Sequence, residues 1–223
     1  MATTKKESSK KNIIGDNEII SFYMNDVLLH NEEPKNIYIF CKNHNINESD
    51  FYSFFGSCEA IKNEIWVKFF ENALTIIDKD KGFESLTDKD KLLTLFFTLF
   101  EIMTLNRTYV LFSFKDNMKG FKNLKYLKHF RNRFKDYIVA IIRESSTSSN
   151  EKFLKVSEPV FSEGAWIQFL FLLKFWSNDN SKSFEKTDVL IEKSVNTVVG
   201  LLATTQLENL LDLGKFLWKE KRK

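Results

Sequence analysis

The chain has 223 residues, 23 of them phenylalanine, with only 7 glycines and 2 prolines and a formal net charge of +3. That length supports a large core without disulfides or metals, and so few turn residues exclude an all-β design, which needs turn chemistry at regular intervals. Cys41 and Cys58 form neither a CxxC pair nor a ligand cluster, which removes disulfide-rich and zinc-ribbon classes. Residues 1–15 are polar, with Lys5, Lys6, Lys10 and Lys11 against Glu7, and predict a flexible basic arm. They hold no apolar stretch of the secretory kind. A first helix is expected from about Asn17 to His30, with Ile20, Tyr23, Met24, Val27 and Leu28 inward. Glu33-Pro34 breaks it, because proline disfavours a helical residue before it. A short helix follows over about Lys35 to Asn43, with Ile37, Phe40 and Cys41 inward.

His44-Asn45 reads as a turn, since asparagine tolerates the left-handed conformation. Asn47 reads as an N-cap with Asp50 completing a capping box, opening a third helix over Glu48 to Phe55 that buries Phe51 and one of Phe54 or Phe55. Ser57 caps a long fourth helix from Cys58 to about Lys79, with Ile61, Ile65, Phe69, Ala73 and Ile76 inward. Thr87 and Asp90 make a second box before a fifth helix that ends near Asn106 and is apolar almost all round, as a central helix should be. Its apolar run, Leu92 to Leu105, is broken by threonines and Glu101 and is too short for a bilayer, so no membrane segment and a cytoplasmic location are expected. A short helix near Tyr109 to Phe114 and a long one over Phe121 to Arg143 follow. The polar stretch 144–152 is expected to be a loop. Three more helices are expected, over about Glu163 to Trp176, Phe184 to Ala203 and Gln206 to Trp218.

Three short helices before a long connecting one suggest a helix-turn-helix module. From Phe40 the chain reads FCKNHNINESDFYSFFGSCEAI. This resembles the signature of the tetracycline-repressor (TetR) family, whose usual form runs close to IAxxAGVSxGTLYxHFxSKEEL. Phe40 and Cys41 stand at its Ile-Ala, Asn45 at its turn glycine, Ile46 at its valine and Asn47 at its N-cap serine. Phe51-Tyr52 stand at its Leu-Tyr, Phe55 at its phenylalanine, and Ser57 and Glu59 at the cap and acid that begin the fourth helix. The resemblance implies an all-α fold of about nine to ten helices: an arm over 1–15, a three-helix DNA-binding-like domain over 16–57 and a larger ligand-binding and dimerisation domain over 58–223. It also implies a homodimeric, ligand-responsive transcriptional regulator, typically a repressor, that places its third helix in the major groove of double-stranded DNA.

Under that resemblance, Lys35, Asn36, Asn47, Ser49, Tyr52 and Ser53 are the candidate DNA contacts, Tyr52 foremost as a phosphate donor. Trp166, Leu170 and Leu173 with Ile191, Val195, Val198 and Leu202 are the candidate dimer face. Phe96, Phe100, Met103, Phe130, Phe134 and Phe169 are the candidate walls of a pocket for a small apolar ligand. The head departs from the family in charge. Over residues 17–57, Lys35 and Lys42 face six carboxylates, a net of −4. Glu48 and Asp50 occupy the first turn of the third helix, Phe54 replaces the usual histidine and Cys58 the usual lysine. Phosphate neutralisation supplies most non-specific DNA affinity, so two readings stand. Either Asp50 is used in capping and the lysine arm compensates, or DNA binding is lost and the chain binds a hydrophobic ligand or a protein partner.

Catalysis finds no support. His30, His44 and His129 are scattered without a metal-ligand spacing, the glycines are isolated, and no serine or cysteine sits in a nucleophile elbow. No enzyme, cofactor or metal is expected. A basic stretch, Lys122, Lys125, Lys128, Arg131, Arg133 and Lys135, reads as solvated surface, with an anionic partner as the lesser option.

Overall fold

The computed structural model describes residues 14–114, 124–145 and 151–202, with backbone alone at 144–145, 151–157 and 201–202. Every regular element among them is helical: α1 Asp16–His30, α2 Ile37–Asn43, α3 Glu48–Tyr52, α4 Cys58–Ile77, α5 Asp88–Leu105, α6 Arg107–Phe114, α7 Lys128–Ser145, α8 Glu151–Ser177 and α9 Glu185–Leu202. Short 3-10 turns at Phe83–Ser85, Lys125–Leu127 and Lys182–Phe184 join some of them. The fold is all-α, as the sequence predicts. The expected final helix over Gln206 to Trp218 and most of the N-terminal arm lie outside the described residues.

The described chain forms two compact units that divide within α4, between Ile65 and Trp66. In the first, Glu18 accepts from the Gly15 amide at 3.0 Å and opens α1. Asn31, at φ 53°, closes α1 with its amide on Val27 O at 2.8 Å, three residues before the proline that sequence suggests as the breaker. Ile19, Ile20, Tyr23 and Val27 face inward, whereas Leu28 is 45% exposed. The expectation for Leu28 is therefore corrected: the buried stripe runs Ile19, Tyr23, Val27 at four-residue steps, and Leu28 lies one position past it. Asn36 accepts from the Ile39 amide at 2.8 Å and caps α2. Asn45 turns the chain at φ 55° without glycine, as predicted. Phe40 packs edge-on to both Tyr23 and Phe51, at 6.5 and 6.0 Å between ring centres, and these rings hold the three short helices together.

α3 is shorter than the expected span, ending at Tyr52, and of the two following rings Phe55 is buried while Phe54 is 46% exposed. Its cap also differs. Asn47 accepts no side-chain bond from the helix amides, and instead its Nδ2 donates to the Asp50 carboxylate at 3.0 Å, a charge-assisted bond. Ser57 Oγ accepts from the Ala60 amide at 3.1 Å and starts α4 as predicted.

In the second unit the apolar stripe of α4 continues through Phe69, Ala73 and Ile77, and Ile76 is 52% exposed. The step after Ala73 is thus four residues and not three. Thr87 opens α5 as expected, accepting from the Asp90 amide at 3.2 Å and donating to the Asp90 carboxylate at 2.6 Å. α7 packs on α8, and α5 on α9. Residues 144–152 are expected to be a loop, yet α7 runs to Ser145 and α8 starts at Glu151. α8 also runs through Pro159, which sequence treats as lying outside the helix. Proline lacks one donor and crowds the preceding turn, a cost of about 3 kcal/mol in a helix interior, so here the packed helix outweighs the local preference. Arg143 of α7 and Glu158 of α8 clasp the pair beside that proline, at 2.7 Å.

The core of the second unit is aromatic. Phe130 touches Trp66, Phe134, Trp166 and Phe169 at ring-centre distances of 5.9, 5.9, 5.5 and 5.1 Å. Phe100 extends the cluster to Trp176 at 6.1 Å. Edge-to-face and tilted pairs of this kind add to the area they bury. Among the described residues no single helix is long and apolar enough to cross a membrane.

Candidate functional site

All six residues proposed from sequence to touch DNA are exposed on the head: Lys35, Asn36, Asn47, Ser49, Tyr52 and Ser53. Three are already engaged locally. Asn36 caps α2, Asn47 holds Asp50, and Ser53 Oγ donates to Asp50 O at 2.6 Å. Lys35, Ser49 and the Tyr52 hydroxyl make no hydrogen bond among the described residues, and Tyr52 is 51% exposed. Asp50 is therefore largely occupied inside α3, while the Glu48 side chain in its first turn is exposed and has no hydrogen-bond or ion-pair partner among the described residues. Beside α3 the surface carries Tyr38 at 58% exposure, with Lys42 Nζ 6.0 Å from its ring centre.

His44, in sequence a turn residue without metal-ligand spacing, has a structural part. Its Nε2 lies 3.0 Å from Asp26 Oδ2 and its ring stacks on Phe22 at 4.4 Å, fastening the turn to α1. Lys62, one turn into α4, has no signal in the sequence that marks its role. It bonds Glu33 at 3.0 Å and Glu59 at 2.8 Å. Burial would lower its pKa, but the hydrogen bonds and charges of Glu59 and Glu33 outweigh it and the group is raised. This lysine fixes the α1–α2 connection to α4 and is not free for a phosphate.

Half of the basic stretch is neutralised in the same way, while Lys125 and Lys128 are exposed and Lys122 lies outside the described residues. Lys135 and Arg131 converge on Glu163 of α8, at 2.7 and 2.5 Å, and Arg133 pairs with Glu71. Hydrogen bonds from Lys135 and Arg131 hold Glu163 below the usual carboxylate range.

The proposed pocket residues Phe96, Phe100, Met103, Phe130, Phe134 and Phe169 are brought together, each no more than 3% exposed. They fill the space between them: Phe96 lies 6.1 Å from Phe134, and Phe134 5.7 Å from Phe169. Open volume lies at their margin. A cavity of about 260 Å³ shares Phe100 with the set and is otherwise walled by residues of α5, the end of α8 and the start of α9. A larger recess of about 720 Å³ lies at the end of α8, against Phe171, Phe175, Lys174 and Lys186.

Of the residues proposed for a dimer face, Trp166, Leu173, Ile191 and Val195 are buried within the single chain, at 5%, 1%, 0% and 1% exposure. Leu170 and Val198 are half-buried, and the Leu202 side chain lies outside what is described. The exposed apolar residues of α8 fall on another stripe: Val160 at 43%, Ile167 at 61%, Phe171 at 54% and Phe175 at 38%. Their spacing of seven, four and four residues keeps them on one side of the helix. Gln168, the one uncharged polar residue between Ala165 and Trp176, is 8% exposed and donates to Ser194 Oγ of α9 at 2.9 Å.

The turn from α8 to α9 is wired by Asp179, itself 5% exposed. Its carboxylate accepts from the Ser181 amide at 2.9 Å and hydroxyl at 2.7 Å, and from the Thr187 amide at 3.0 Å and hydroxyl at 2.6 Å. Burial would raise its pKa, but those four donors outweigh it and bring it from 3.8 down to about 2. Arg107 closes the corner, donating to the carbonyls of Trp176, Ser177 and Asp179 at 2.9, 3.2 and 3.3 Å.

Residues 91–217, more than half of the chain, match a family model described as tetracyclin repressor-like, C-terminal domain. No curated protein matches the sequence.

Proposed function

The chain belongs to the tetracycline-repressor family of transcription regulators, and from that premise we propose that it is a ligand-responsive repressor that binds double-stranded DNA as a homodimer. The observation that carries the reading is the α2–turn–α3 arrangement, with Asn45 at φ 55° and Lys35, Ser49 and Tyr52 exposed together on it. α3 enters the major groove. The Tyr52 hydroxyl and Lys35 take phosphate oxygens, and Asn47, Ser49 and Ser53 lie within reach of base edges or sugars. Phosphate contacts of this kind set register, and the two-fold axis of the dimer sets the palindrome.

Dimerisation uses the exposed stripe of α8, Val160, Ile167, Phe171 and Phe175. Four large apolar side chains aligned on one helix suit an isologous contact, in which each copy offers the same patch. The recess at Phe171 and Phe175 would then close against the second copy. The effector enters the second unit at the cavity that Phe100 lines, next to the aromatic cluster.

The exposed Glu48 favours a second reading, in which the head has lost DNA and binds a basic protein surface through Tyr38, Tyr52 and Phe54. Selection of DNA fragments from a random pool by the purified chain separates the two. Enrichment of a palindrome with half-sites about one helical turn apart is the outcome expected of the repressor. No enrichment after repeated rounds, with the dimer intact, leaves the second reading.

A further inference from the structure

The cavity of about 260 Å³ has walls of unusual composition. Four are aromatic, Phe97, Phe100, Trp176 and Phe184, and two are carboxylates, Glu101 and Asp188. Two helices supply the same pattern. Phe97 and Glu101 stand four residues apart on α5, as do Phe184 and Asp188 at the start of α9, so each ring has an acid one turn above it. Glu101 and Asp188 make no hydrogen bond or ion pair among the described residues. Capping does not account for Asp188, because Asp179 already takes the Thr187 amide at the start of α9.

Among the described residues of the second unit, the backbone takes left-handed values without glycine at this place alone. Ser183 and Phe184 have φ of 53° and 62°, consecutive left-handed residues with no glycine. Such a conformation costs a bulky residue energy and persists where surrounding structure enforces it, often at ligand sites. Here it sets the Phe184 ring 6.1 Å from Trp176. Those two rings already show their taste for cations: the Arg107 guanidinium lies 4.3 Å from the centre of each, and Arg107 is not itself a wall of the cavity. Partial desolvation and then the nearby Asp179 raise the pKa of Asp188, an exposed carboxylate at the cavity's rim.

We propose that this corner binds a small organic cation, a quaternary or protonated alkylammonium, with the ring faces of Phe97, Phe100, Trp176 and Phe184 around the cationic group and Glu101 and Asp188 as counter-charges. Aromatic faces attract such cations through the ring quadrupole, most strongly when water is excluded. A hydrated metal ion would need several oxygen ligands in place of those rings. The inference deepens the regulatory reading above and rests on it for the consequence of binding, a changed DNA affinity, but not for the binding itself.

Isothermal titration of the full chain with benzyltrimethylammonium, and with its neutral carbon isostere neopentylbenzene, tests it. The cation is expected to bind at least about tenfold more tightly than the isostere. Glu101→Gln and Asp188→Asn should each weaken the cation by about tenfold and leave the isostere unchanged. Glu84→Gln, at an exposed carboxylate away from the cavity, should change neither. Glu101 and Asp188 are both exposed on long helices, so both variants fold. Equal affinity for the two probes, no heat from either, or equal loss in the Glu84 variant overturns the proposal. Cation binding in a protein that shifts no DNA supports the site and sinks the repressor reading; DNA binding in a protein that ignores the cation does the reverse.

Discussion

The exposed side of α3 carries Glu48, Ser49, Tyr52 and Ser53, whereas the exposed side of α8 carries Val160, Ile167, Phe171 and Phe175. On the first, charge and hydroxyls stand on a helix of five residues, and its neighbours are pinned by small polar bonds such as Asn47 to Asp50. On the second, bulky apolar groups stand on a helix of 27 residues whose other face is locked into the aromatic core. Water solvates the first surface readily and gains when the second is covered. The difference teaches where binding energy would reside on the proposed reading: a second copy would be held by area on α8, while any partner of α3 would be held by charge and hydrogen bonds, and so would respond to salt.

The largest expected effect is therefore on α8. Ile167→Asp with Phe171→Asp should raise the dimer dissociation constant by a factor of about 30 or more, as truncation of central apolar anchors does. Light scattering should then report a monomer with unchanged helix content. A dimer that survives both charges places the interface elsewhere. The second effect sharpens the same contrast within the α8–α9 turn. Asp179→Ala should cost about 1–2 kcal/mol in urea unfolding, the range for a lost helix cap. Because the folded pKa of Asp179 lies below its unfolded 3.8, its contribution is complete above that pH and fades as pH falls through about 2. The wild type should thus lose stability over that window by more than the variant does. Equal acid profiles would contradict the role given to this carboxylate.

Smaller effects belong to the head. Tyr52→Phe should weaken DNA by about three- to tenfold, one phosphate hydrogen bond, and Glu48→Gln should tighten it by a similar factor by removing repulsion. Fluorescence anisotropy reads both, and opposite signs would exclude α3 as the reading element. Smallest of all, Lys62→Ala should cost roughly 0.5 kcal/mol in thermal unfolding, since its partners Glu33 and Glu59 are largely exposed. A loss several times greater would mean that the clasp organises the head and does more than decorate it.

Local rules were the legible part of this molecule. Asn45 turns the chain, Ser57 and Thr87 cap helices, and Phe40, Phe51 and Phe55 fill the head where their spacing in sequence says they should. What sequence hid was direction wherever both faces of a helix are apolar. In α8 nearly every position from Ala165 to Trp176 is apolar, so periodicity selects no face, and the buried Gln168 points to the wrong one. Its partner Ser194 lies on another helix, beyond the reach of any local rule. Pro159 misleads in a similar way, because a local preference of a few kcal/mol yields to a packed helix on both sides. The pocket was legible only as a cluster. Phenylalanines at helical spacing do meet, but they meet ring to ring, and the open space is displaced to the corner that Ser183 and Phe184 shape with a backbone conformation sequence gives no reason to expect.

The reading of α3 as a DNA element is tested most directly by the salt dependence of binding to the selected palindrome. Two heads each offer Lys35, exposed on the described surface, and the arm lysines add to it, so the slope of log affinity against log salt should be about −2 or steeper. The monomeric α8 variant should bind far more weakly and with about half that slope. An intact dimer whose affinity is negligible at low salt, or does not change with salt, would contradict the account.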